Sequence, residues 1–227
     1  MRGSRLIITL DGPSASGKSR AARTLAHMLG IYYLSTGYLY RAVAYCALKR
    51  GAVIAEEYPL DAELIAECAD PQRLSYRYEQ GNARVLFDGI DITDHLKNPV
   101  VDRSASIVSA QPAVRAALIC VQRAIADAAD LVADGRDCGS VVFPAAPYKF
   151  FITASLDERA RRWAADCALR GISCSLDEAR AALTERDTRD AARAVSPLVI
   201  PEGAVVIDTT DSTPDQVVAR IIAHIQK

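Results

Sequence analysis

Stretches of nearly continuous apolar residues punctuate the chain at Arg5 to Leu10, Ile31 to Ser35, Leu131 to Asp134, Lys149 to Thr153 and Ala204 to Asp208. Short runs without polar alternation fit strands covered on both faces, and segments with helical spacing separate them. The pattern predicts a doubly wound α/β fold around a five-stranded parallel sheet flanked by helices. Ser155 with Glu158 and Ser175 with Glu178 spell capping boxes, and Thr213-Pro214 with Gln216 starts a final helix to about Gln226. Between about Leu60 and Asn98 the texture changes to RLSYRYEQGNARVLFDGIDIT, which alternates around Gln80-Gly81-Asn82 and Asp88-Gly89. Antiparallel hairpins are expected there, as a small insertion packed over one edge of the site.

Composition narrows the picture. A chain of 227 residues, half of them hydrophobic, is long enough for one compact domain with an insertion. A formal net charge of -1 gives no basic excess for a nucleic-acid backbone, so any bound anion must be met by locally placed cations. Those cations are mostly arginine, because Lys18, Lys49, Lys97, Lys149 and Lys227 are the only lysines. Arginine's planar fork grips phosphate in bidentate fashion, although a codon bias would leave the same trace. Cys46, Cys68, Cys120, Cys138, Cys167 and Cys174 are widely spaced and form no CxxC pair. Neither a disulfide framework nor a zinc site is expected. With no membrane-length apolar run and no leader, a cytoplasmic chain without a membrane partner is expected.

The chemistry begins at Gly12-Pro13-Ser14-Ala15-Ser16-Gly17-Lys18-Ser19, which satisfies GxxxxGK[ST] between the first strand and a helical run through Leu29. Such a P-loop wraps backbone N–H groups around a β-phosphate, and the helix N-terminus adds its partial positive charge. Lys18 would reach the β- and γ-phosphates, exposed to ligand rather than packed in the core, and the Ser19 hydroxyl would ligate Mg²⁺. The motif leaves three classes open: a kinase of a small acceptor, a hydrolysing switch or motor, and a non-catalytic nucleotide sensor.

Three further clusters bear on that choice. In Ser35-Thr36-Gly37-Tyr38-Leu39-Tyr40-Arg41, Thr36 can cap the next helix, and Gly37 and Arg41 share a face. Asp134-Gly135-Arg136-Asp137 ends a strand, where ligands of open α/β sheets gather. In Glu185 to Arg193, the arginines 186, 189 and 193 recur at helical spacing, and Asp187 and Asp190 would keep a free segment soluble. That composition suits a lid.

With all four clusters in order, the chain resembles the bacterial cytidylate kinases of the nucleoside monophosphate kinase group. The resemblance rests on DGPSASGKS, STGYLYRAVA, FDGIDIT, VADGRDCGSVVFP and ERDTRDAARAVSPL. It implies a P-loop NTPase fold with a small antiparallel insertion at about 60–98 that helps bind the monophosphate, and a short helical lid at about 171–195 that closes over ATP. By position, Thr36, Tyr40, Arg41, Arg136 and Arg193 would surround the acceptor phosphate and sugar. Ser106, Arg115 and Asp137 match the cytosine contacts, and Arg186 and Asp190 match lid residues near the ribose and the transferring phosphate. Arg162 is a candidate on the ATP side. Lys18, Arg136, Arg186 and Arg193 would carry catalysis. Departures from the family pattern are Arg20 in place of Thr, which removes a hydroxyl contact from the ATP site, Ala15 in place of Gly, Lys97 in place of Arg, and Cys138 in place of an aliphatic residue.

The implied activity is transfer of the γ-phosphate of ATP to CMP, and also to dCMP, by a monomer in pyrimidine nucleotide metabolism. Another small acceptor, or a non-catalytic nucleotide-binding regulator, is the alternative.

Overall fold

In a computed structural model, residues 5–55 and 57–226 are described. The chain runs β1 (Ile7–Asp11), α1 (Lys18–Leu29), β2 (Tyr32–Ser35), α2 (Thr36–Lys49), α3 (Ala62–Cys68), β3 (Leu74–Glu79), β4 (Asn82–Phe87) and β5 (Ile90–Asp91). There follow α4 (Pro99–Val108), α5 (Pro112–Ala128), β6 (Leu131–Gly135), β7 (Tyr148–Thr153), α6 (Leu156–Leu169), α7 (Leu176–Ala191), β8 (Val205–Asp208) and α8 (Pro214–Ile225). Five strands pair in parallel in the order β2-β6-β1-β7-β8, as the apolar runs predict. Arg5 and Leu6 precede β1, although the Leu6 carbonyl accepts from the Leu131 N–H at 2.9 Å, and β6 continues through Gly135.

The burial explains the continuous apolar texture. β6 is buried at every residue, and Ile8 and Leu10 of β1 are fully enclosed. On one face, α1 lays Ala21, Ala22, Leu25 and Ala26 onto the sheet, and α8 adds Val217, Val218 and Ile221. The other face carries a larger cluster in which α2, α4 and α5 contribute Leu39, Val43, Val108, Val114 and Leu118. No single helix among the described residues is long and apolar enough to cross a membrane; the bent pair α4 and α5, turned by 100°, packs into this cluster.

The insertion is a three-stranded antiparallel sheet in the order β3-β4-β5, turned at Gln80-Gly81 and at Asp88-Gly89. The short helix α3 precedes it, capped by the Asp61 side chain accepting from the Leu64 N–H. Sequence patterning did not predict that helix. The sheet leans on the parallel core through Tyr76, whose hydroxyl accepts from the Ser35 N–H and donates to the Tyr33 carbonyl.

The capping expectations divide. Ser175 with Glu178 and Thr213 with Gln216 form full capping boxes. Ser155 accepts from the Glu158 N–H, but the Glu158 carboxylate does not return the bond, because Arg161 and Arg162 hold it. Thr36 is not a cap. Ser35 occupies the cap position without a side-chain bond, and the Thr36 hydroxyl donates instead to the Asp134 carbonyl at 3.0 Å.

Candidate active site

At the carboxyl ends of β1, β2 and β6 opens a cleft of about 1030 Å³, walled on its far side by α4, α6 and α7. This is where the strand order switches direction around β1, and loops there diverge to leave a crevice. The loop after β1 makes its floor. Gly12 is obligatory, since a Cβ there would lie 2.0 Å from the Ile152 carbonyl oxygen. Ala15 holds φ 59, a left-handed conformation that costs a residue with a Cβ roughly 1–2 kcal/mol. Gly17 begins α1 without a side-chain cap, so the open N–H groups of the first turn are left to an anion.

Lys18 departs from expectation. It is only 5 % exposed, and its Nζ donates to the Pro13 carbonyl at 2.7 Å. Burial, and then the positive charge of Arg136, pull its pKa well below the usual lysine value. The Ser19 hydroxyl donates to Asp134 Oδ2 at 2.5 Å, while the Tyr33 hydroxyl holds Oδ1 at 2.9 Å. A hydroxyl beside a buried carboxylate is a set of hard oxygen donors suited to a small divalent cation. The glycine-loop motif by itself points only to Ser19 as a ligand of the metal.

After β6 the chain makes the Gly135-Arg136-Asp137 turn and one π-helical turn, Cys138–Val142. Asp11 fixes it, accepting from the Cys138 N–H at 2.8 Å and the Gly139 N–H at 2.7 Å. Burial outweighs those two amides and lifts the Asp11 pKa to about 6 from 3.8. Between those values the folded chain binds more protons than the unfolded one. The proton-linked stability is therefore complete below pH 3.8 and lost as pH rises through about 6. Measured against Asp11→Asn by denaturant unfolding at a series of pH values, the protein should lose about 3 kcal/mol across that window. A flat difference would mean that Asp11 is ionised in the fold throughout.

The turn presents two charges. Arg136 donates through Nη2 to Ser14 Oγ at 2.7 Å and through Nε to Asp190 Oδ2 at 2.8 Å, joining the P-loop to α7. Asp137, 3 % exposed, pairs with Arg115, which is 1 % exposed, donates to the Ser109 carbonyl and lies 5.3 Å from the centre of the Tyr40 ring. The Tyr40 hydroxyl is buried without a hydrogen-bond partner among the described residues.

From α7 come Arg186, Arg189 and Asp190, but Arg193 lies past the helix end and so does not extend its stripe. The two aspartates do not serve a free segment. Asp190 is 1 % exposed between Arg136 and Arg193, and Asp187 takes Arg159 Nη1 at 2.6 Å. Arg189 reaches Ser106 Oγ at 3.0 Å, and Arg193 reaches Ser109 Oγ at 2.8 Å. Arg186 is desolvated beside Arg136, and its pKa is pulled down to about 10.

Of the sequence-predicted site residues, Ser14, Ala15, Gly17, Lys18, Ser19, Arg20, Thr36, Tyr40, Arg41, Ser106, Arg115, Arg136, Asp137, Arg162, Arg186, Asp190 and Arg193 all line this cleft. Gly12, Pro13 and Ser16 lie beneath it: Gly12 abuts Ile152, Pro13 receives Lys18, and the Ser16 carbonyl accepts from Thr209. Arg162 is pinned by Thr209, 3.0 Å from its Oγ1 and 2.7 Å from its carbonyl oxygen. Residues 60–98 contribute no side chain to the cleft. Sequence reasoning missed Asp11, Ser109 and Arg159. Asp11 had a legible signal, a carboxylate ending a buried strand directly before the glycine loop; the other two had none.

The parallel sheet, the glycine loop and a second cationic wall facing it define the class: a P-loop kinase acting on a small nucleotide. Comparison with known proteins narrows it. The family model described as "Cytidylate kinase" matches residues 8–227. The chain is 41 % identical to the cytidylate kinase of Caldanaerobacter subterraneus subsp. tengcongensis over 97 % of its own length and 94 % of that protein. It is 43 % identical to the cytidylate kinase of Symbiobacterium thermophilum over 98 % of its length and 96 % of that protein. A solved structure of an uncharacterized protein from Eubacterium ventriosum shares the fold, with TM-score 0.50 and 15 % identity over 98 % of this chain and 99 % of that one. The chain belongs to the cytidylate kinase family.

Proposed function

We propose that the protein transfers the γ-phosphoryl group of ATP to CMP, giving CDP and ADP. The observation that carries this is a single cleft lined both by the P-loop with Lys18 and by Arg41 and Arg193, with Arg136 bonded to the P-loop Ser14 between them. An acceptor phosphate oxygen is already anionic near neutral pH, so no general base is assigned. Catalysis then consists of alignment and of neutralising charge spread over the transferring group. Lys18 serves that charge from the donor side, and Arg186 serves it from the lid. Arg136, bonded to both Ser14 and Asp190, stands where the two nucleotides meet.

Ser19 and Asp134 would hold Mg²⁺, which would neutralise phosphate charge when bound. Residues 171–195 act as a lid over ATP, completing the cationic wall through Arg186 and Arg193, and the insertion at 60–98 braces the CMP side through Tyr76. Asp137, with Arg115 and Ser106, reads the base. The Asp137 Oδ1 atom makes no hydrogen bond among the described residues, and it can accept from the cytosine amino group. It would instead meet the O4 of uracil, an acceptor against an acceptor. The same base contacts serve dCMP, which is taken as a second acceptor. Both substrates gather within one chain, as suits a monomer, and six free cysteines suit the reducing cytoplasm.

Initial rates of ADP release with CMP, dCMP, UMP and AMP test the reading. CMP and dCMP should exceed UMP by about tenfold or more in kcat/KM, since a buried polar mismatch discriminates strongly. Equal efficiency with UMP or AMP would sink the cytosine assignment and leave the kinase one standing. ATP consumption indifferent to every monophosphate would favour a non-transferring nucleotide binder.

A further inference from the structure

Arg41 does not face the cleft alone. Its Nε donates to Asp102 Oδ1 at 2.6 Å, across from α2 to the first turn of α4. This contact occupies the inner edge of the guanidinium, and neither terminal nitrogen has a hydrogen-bond partner among the described residues. Nη1 is seated over Gly37, where a Cβ would lie 2.8 Å away. The second carboxylate oxygen, Oδ2, stands 3.8 Å from Arg170 Nη1, at the end of α6 that leads into α7.

Exposed ion pairs are ordinarily worth little. This one has a different geometry: both partners line the cleft, the side chains are 26 % and 17 % exposed, and the carboxylate takes Nε, leaving the Nη1/Nη2 edge for a second anion. A guanidinium held by its Nε edge presents its two terminal NH₂ groups as a preset fork, so less side-chain freedom remains to be lost when an anion arrives.

We propose that Asp102 is a positioning residue for the acceptor nucleotide: it acts through Arg41, setting that fork toward the phosphate of the monophosphate. The proposal rests on the reading that Arg41 binds the acceptor phosphate. Asp102 touches no reacting atom. The phosphate meets the Nη edge, with the guanidinium standing between the two anions.

The test compares Asp102→Ala, Asp102→Asn, Arg41→Ala and the Arg41→Ala/Asp102→Ala double variant. Asp102→Ala should raise KM for CMP about tenfold, while kcat and KM for ATP stay within about twofold, because binding common to ground and transition states is what is lost. Asp102→Asn should fall between, since its Oδ1 still accepts from Nε, and this isosteric change keeps the test open if the alanine variant folds poorly. Competitive inhibition by cytidine, which lacks the phosphate, should be the same in the wild type and both Asp102 variants. In the Arg41→Ala background the Asp102 change should add nothing. If Arg41→Ala raises KM for CMP but Asp102→Ala and Asp102→Asn leave it unchanged or lower it, the positioning role is overturned and the phosphate reading survives. If Arg41→Ala itself leaves KM for CMP unchanged, the phosphate reading fails and takes the positioning role with it.

Discussion

Lys18→Ala should lower turnover by about 10³-fold or more, because a cation on the transferring phosphoryl group acts most strongly in the transition state. KM for CMP should change little, since Lys18 lies on the donor side of the cleft. The variant must also remain folded, and the burial of Lys18 bears on that. Lys18 is almost fully enclosed and its Nζ is bonded to the Pro13 carbonyl, so truncation leaves a buried acceptor unpaired, at about 1–3 kcal/mol. Against that, burial already disfavours the ammonium, as its lowered pKa records, and removing it relieves that cost. The net loss of stability should be small. Lys18→Met keeps the aliphatic stem in place, and separates the missing charge from the missing packing. Rapid-quench measurement of a single turnover, alongside thermal melts of both variants, checks the expectation. Near-wild-type turnover in a folded Lys18→Met protein would remove Lys18 from the chemistry.

What the sequence made legible follows physical range. Apolar runs, the glycine loop and the full capping boxes are written within a few residues of where they act, and the structure reproduces them. Gly12 is constrained by Ile152, far along the chain, yet it could be read because the spacing of the whole loop is local. Long-range charge pairing left no such trace. Asp187 and Asp190 sit in a run of charged residues that reads as a solvated segment, and only the approach of Arg159 and Arg136 from other elements turns them into enclosed partners. The same holds for Lys18, whose exposure depends on what the P-loop folds over. α3 escaped prediction because seven residues carry too little periodicity to stand out beside a hairpin pattern, although Asp61 marked its start.

That long-range pairing also decides what a substitution at Asp137 measures. Asp137→Ala should destabilise the fold by about 3–5 kcal/mol, a large share of the stability of a domain this size. Arg115 would remain inside with one hydrogen bond, to the Ser109 carbonyl, and its Nε already lacks a partner. Stranding a buried guanidinium is what makes such single changes costly, whereas replacing both members with apolar groups of similar volume is often neutral. Arg115→Met combined with Asp137→Leu should therefore recover most of the stability lost by Asp137→Ala. Urea midpoints and slopes for the wild type, the single variant and the double variant read this directly. Loss on the double change equal to that on the single one would show that the pair is not an isolated ionic unit. The double variant is then also the cleaner probe of the base: folded, still carrying Lys18, Arg136 and Arg186, but without the carboxylate proposed to accept from cytosine. Its preference for CMP over UMP should shrink towards unity while phosphoryl transfer persists. A folded double variant that kept the full wild-type preference would move base recognition away from Asp137 and Arg115.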